Sequence, residues 1–165
     1  MSGEWITLIA GLTGTVLGVS IPSGIKILEN HISYSNSKKE KYEPGIRLLL
    51  GEYVPEVNRF LSFIRAIAEV GYRETYDRKS QENYAIAIKL YESEIKDNIP
   101  IHVLLEVNEL NDHLNYLLSF VDFILYPIEK GDFQEKFSLI NLQLEVGKAK
   151  EKVDKIEKTI KRKHT

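Results

Sequence analysis

The chain has 165 residues, 28% of them charged, and no cysteine, which excludes disulfides, thiol nucleophiles and cysteine-ligated zinc or iron–sulfur sites. Its formal charge of −2 is unevenly spread: residues 1–41 carry four basic and three acidic groups, residues 42–129 eight and fifteen, and residues 130–165 ten and six. An acidic middle followed by a basic tail suits a tail that seeks anionic partners, and equally two helices that neutralise each other within one bundle.

The first predicted element is an uncharged run of 21 residues from Trp5 to Ile25. As a helix it reaches roughly 31 Å, close to the hydrocarbon thickness of a bilayer, so residues 1–32 are expected to form a single transmembrane anchor. A signal peptide fits poorly, because Glu4 and no Lys or Arg precede Trp5 and no small-residue cleavage site follows. A type IV pilin leader, suggested by Ser2-Gly3-Glu4, lacks its basic leader and any later strand pattern. The serious rival is a buried helix of a soluble fold. Against it, the run has no polar face, and a domain of this size rarely buries a helix all round.

Ala10, Gly14 and Gly18 recur every four residues and share one helix face. In lipid such a face lets two backbones approach closely, so a homo-oligomer through the anchor is expected. Lys26, Lys38, Lys39 and Lys41 follow the run, which by the positive-inside tendency puts the rest of the chain in the cytoplasm and the amino terminus outside. Residues 33–42, rich in Ser and Lys, read as a hydrated linker.

Residues 43–165 read as a cytoplasmic helical bundle. Apolar residues step by four and three along Ile46, Leu50, Tyr53, Val57, Phe60, Ile64 and Ile67; along Tyr84, Ile88, Tyr91 and Ile95; and along Val103, Val107, Leu110, Leu114, Leu117, Val121 and Ile124. The last segment is less regular, with Phe133, Phe137, Ile140 and Leu144 and then Ala149, Val153, Ile156 and Ile160. Breaks at Arg78-Lys79-Ser80, Asp97 to Pro100 and Tyr126 to Asp132 predict helices over 44–77, 80–97, 100–126 and 132–163. Short connections imply antiparallel neighbours, giving an all-α chain: the anchor, then an up-and-down four-helix bundle with a long basic last helix whose end projects as a coiled coil. Pro55, inside the first helix, should kink it against the carbonyl of Gly51. Leu114 to Tyr126 is too short for a second span and is broken by Asn115 and Asp122.

Motifs for chemistry are scarce. His102, Glu106, Glu109 and His113 share a face of the third helix and are the one metal candidate, but that face lies beside the heptad core, where solvated flanking residues belong. No nucleophile elbow, P-loop or dinucleotide fingerprint is present, so neither a catalytic site nor a cofactor is expected. Lys148, Lys152, Lys155, Lys161, Arg162 and Lys163 offer contacts to an anionic membrane surface. Nucleic acid is disfavoured, since no aromatic residue is interleaved to stack on bases. The expected function is therefore binding of a protein partner at the cytoplasmic membrane face, without catalysis. Two alternatives are a membrane-perturbing effector or toxin assembling through the glycine-rich anchor, and a metal-dependent bundle enzyme.

Overall fold

The computed structural model describes residues 40–164, and among these it is helical between short turns, with no strand. The expected anchor, with Ala10, Gly14 and Gly18, lies outside the described residues, as does most of the expected linker. Helix α1 covers residues 40–70, so the linker's last residues are already helical. Helix α2 covers 74–98, α3 covers 101–125, and α4 is Phe133–His164. Among the described residues no helix is long and apolar enough to cross a membrane.

Neighbouring helices run in opposite directions, as their side-chain pairs show. Tyr53 and Phe60 of α1 pack in tilted pairs against Tyr91 and Tyr84 of α2, with ring centroids 6.3 and 5.7 Å apart. Gln81 of α2 reaches Asp122 of α3 at 3.4 Å, while Tyr91 donates its hydroxyl to Asn108. Glu106, Glu109 and His113 of α3 meet Lys155, Lys152 and Glu145 of α4 in reverse order. Lys150 of α4 returns to Asn58 of α1 at 2.8 Å, closing the ring of four. The core between them holds Tyr53, Phe60, Ile64, Leu110, Leu114, Leu117, Leu142 and Ile156, all fully buried. Each such side chain contributes about 1.5–3 kcal/mol of transfer free energy.

The first break falls earlier than expected. Helix α1 ends at Val70 because Gly71 adopts φ 85°, and its N–H bonds to the carbonyl of Ile67 at 2.9 Å. A glycine enters this left-handed region without a Cβ clash, which ends the helix there. Ser80 is therefore not a helix start. It lies buried inside α2, donating its hydroxyl to the carbonyl of Asp77.

Widened, π-type turns punctuate the helices at Leu49–Tyr53, Tyr91–Ile95 and Val121–Leu125. The first precedes Pro55: the Val54 N–H reaches back to the Leu49 carbonyl, so the helix absorbs the proline by opening one turn. Burial near two of these turns falls on the neighbour of the expected residue. Leu49 rather than Leu50 is buried in α1, and Leu125 rather than Ile124 in α3. Gly45 marks a close approach of α1 to α2, since a Cβ there would sit 2.0 Å from the Asn98 carbonyl oxygen.

The fourth helix departs most from expectation. Its core stripe is Leu142, Val146, Ala149, Val153, Ile156 and Ile160, continued toward the amino end by Ser138 and Glu135. Phe133, Phe137, Ile140 and Leu144 are exposed. Nor does the end of α4 project, for Ile156 and Ile160 are buried against the bundle.

Candidate interaction surface

The charged residues of α3 and α4 meet along one seam. Lys152 lies 3.7 Å from Glu109, Lys155 lies 3.5 Å from Glu106, and Lys148 lies 2.5 Å from Glu145 on its own helix. Thr159 donates a hydrogen bond to Glu106 as well, at 3.3 Å. Lys161 pairs with Glu157 one turn away at 3.4 Å, and Arg162 is exposed. The side chain of Lys163 falls outside those described. Four of the six basic residues singled out from the sequence are thus within ion-pair reach of the bundle's own carboxylates. Exposed pairs of this kind contribute about 0–1 kcal/mol each, so they set charge balance more than stability.

The proposed metal face is occupied by the same seam. His113 Nε2 lies 3.0 Å from Glu145 Oε2. Burial pushes the imidazole pKa down while Glu145 pulls it back up. The hydrogen bond from Lys148 holds the Glu145 carboxyl below its usual range. Glu106, Glu109 and His113 each face a partner from α4, and no group of three or more metal-ligating side chains is found among the described residues.

At the end of the bundle where α1 turns into α2, a polar cleft is lined by Tyr72, Asp77, Arg78, Gln81, Asp122 and Tyr126. The Tyr72 hydroxyl donates to Asp77 Oδ2 at 3.1 Å, and the Gln81 amide donates to the same oxygen at 3.2 Å. Burial, with Asp122 adding to it, raises the Asp77 pKa, while Tyr72 and Gln81 oppose the rise. Burial and then Asp77 push the Tyr72 phenol up to about 12. The sequence carried no signal for this cluster, because it assembles across the Gly71 turn and from a third helix.

The largest departure from a solvated surface lies on the back of α4. Phe133 is 82% exposed, Phe137 58%, Ile140 57% and Leu144 61%. The helical repeat sets these four about half a turn from the core stripe. On the outward side of α3, Tyr116 and Phe123 are 48% and 79% exposed, and Lys148 lies one turn beyond Leu144. At about 200 Å² for a whole aromatic side chain, the four residues of the α4 stripe expose roughly 500 Å², toward the upper end of the roughly 300–600 Å² of the largest apolar patch on a typical monomer, and the six together expose roughly 700 Å². The signal was in the sequence, since Phe133, Phe137, Ile140 and Leu144 fall out of register with Leu142, Val146, Ala149 and Val153, and one helix face can fill only one core.

No protein-family model matches the chain, and none of the curated proteins or solved structures gives a match either.

Proposed function

We propose that this is a single-pass membrane protein whose helical bundle, on the cytoplasmic side, binds a protein partner through the outer face of α3 and α4 and performs no catalysis. The observation that carries the reading is the apolar stripe Phe133, Phe137, Ile140 and Leu144 turned away from the core. Burying it against water-soluble partners yields about 25 cal/mol per Å², a driving force that a lone bundle forgoes. The uncharged run Trp5 to Ile25 supports the membrane part, and the lysines after it support the orientation. The basic end of α4 is a weaker candidate for lipid contact, because four of its cations already face carboxylates of the bundle.

Two measurements test the two halves separately. Full-length protein should sediment with membranes and resist extraction by salt or alkali, and recovery in the soluble fraction without detergent would remove the anchor. Proximity labelling from the carboxyl terminus should mark a set of neighbours that Ile140→Glu depletes at unchanged protein level. A labelling pattern indifferent to that substitution would remove the interaction face.

The membrane-perturbing alternative keeps its own observation in Ala10, Gly14 and Gly18. It requires that overexpression depolarise cells and that Gly14→Leu or Gly18→Leu abolish the effect.

A further inference from the structure

The spacing of the exposed stripe is its most specific property. Phe133, Phe137, Ile140 and Leu144 step by four, three and four, a sequence of intervals that reads the same in both directions. Two copies of α4 laid antiparallel, back to back, therefore match along their whole contact: Phe133 of one lies opposite Leu144 of the other, and Phe137 opposite Ile140. This is the self-complementarity that a two-fold interface requires, and the spacing is that of knobs packing into holes.

Charge selects the same arrangement. The exposed turn Glu129, Lys130 and Asp132, acidic on balance, precedes the stripe, and exposed Lys148, which also pairs with Glu145 on its own helix, follows it. An antiparallel pair brings Lys148 of each copy to the acidic turn of the other, whereas a parallel pair sets Lys148 against Lys148. The exposed area is of the right order: the stripe with Tyr116 and Phe123 exposes roughly 700 Å² in all, against the roughly 800 Å² that each partner buries in a standard interface.

We infer that the partner at this face is a second copy of the chain, with the two α4 helices antiparallel about a two-fold axis between Phe137 and Ile140. The inference rests on the protein-binding half of the proposed function and not on the anchor.

Because the chain has no cysteine, single cysteines report the geometry directly. Full-length Phe133→Cys and Leu144→Cys variants are purified, in mild detergent where membranes hold them, then mixed and oxidised. The mixture should give a disulfide-linked dimer at least tenfold above either variant alone, and adding Phe137→Glu to both should abolish it. Persistence in a Gly14→Leu background shows that α4, and not the anchor, joins the copies. Cross-linking of each variant with itself indicates a parallel pair and overturns the inference. So does a chain that stays monomeric and unlinked, as it would if its own amino-terminal segment covered the face. Should neighbours labelled in cells still be depleted by Ile140→Glu while the chain is monomeric, the protein-binding reading stands and only the self-pairing falls. Because the substituted side chains already face solvent, unchanged thermal unfolding verifies that each variant folds.

Discussion

Gly45 and Gly147 both lie within helices, yet their surroundings give substitution by alanine opposite signs. A Cβ on Gly45 would collide with the Asn98 backbone, while none of the described atoms comes within 4 Å of one on Gly147. Gly45→Ala must push α1 from the end of α2 and should cost about 1–3 kcal/mol. Gly147→Ala should gain about 0.5–1 kcal/mol through helix propensity alone. Urea unfolding of the pair checks both, and equal effects would contradict the close approach. Asp77 gives a prediction in pH. Its folded-state pKa is raised above the ordinary 3.8, so its contribution to stability is fully present below that value and is lost as pH rises through the folded pKa. Asp77→Asn keeps an acceptor for Tyr72 and does not titrate. The variant should therefore gain on the parent as pH rises from 3 toward 7, with Tyr72, Gln81 and Asp122 facing the site in both. A difference that stays constant across that range would show that the carboxyl is not penalised by burial.

The α1 and α3 stripes were legible at the scale of elements because in each helix an unbroken run of large apolar residues at helical spacing forms the core face. Val103, Val107, Leu110, Leu114 and Leu117 are buried as the spacing predicts. What periodicity alone could not place was the widened turn at the end of α3, within which Leu125 rather than Ile124 is buried. The Gly71 turn was hidden by Arg78-Lys79-Ser80, a polar triplet that satisfies helix-start rules but lies within α2. On α4 the larger, more evenly spaced residues drew the reading outward, while the core took Ser138, Leu142 and Val146 instead. This reversal is testable within one turn of helix. Leu142→Ala should cost about 2–5 kcal/mol as a core cavity, and Leu144→Ala no more than about 0.5 kcal/mol in the isolated fold. Chemical denaturation decides, and comparable losses at both positions would return Leu144 to the core.

Over the whole molecule, the acidic middle and basic end of the chain find one another across α3 and α4, the arrangement that charge counting alone left level with an outward-facing basic tail. Residues Tyr42–Thr165 make one compact unit. A chain beginning at Tyr42 should accordingly fold without the preceding residues, with a helical circular dichroism spectrum and a cooperative thermal transition. A non-cooperative melt would mean that the amino-terminal segment is needed for the bundle's integrity. Of the candidate site, the sequence revealed the residues and their spacing but not the direction they face, since that depends on which stripe the other three helices claim.

The ring of antiparallel neighbours also bears on how the chain reaches its native state. Three of its four junctions join helices adjacent in sequence, so most contacts close short loops, a topology associated with rapid, millisecond or faster assembly. Only the junction of α1 with α4 links distant parts of the chain. Until it closes, the core stripe of α4 from Leu142 to Ile160 is incompletely covered while Phe133, Phe137, Ile140 and Leu144 stand bare on its back, and that brief interval is when a nascent chain is most exposed to clumping or to capture by a chaperone.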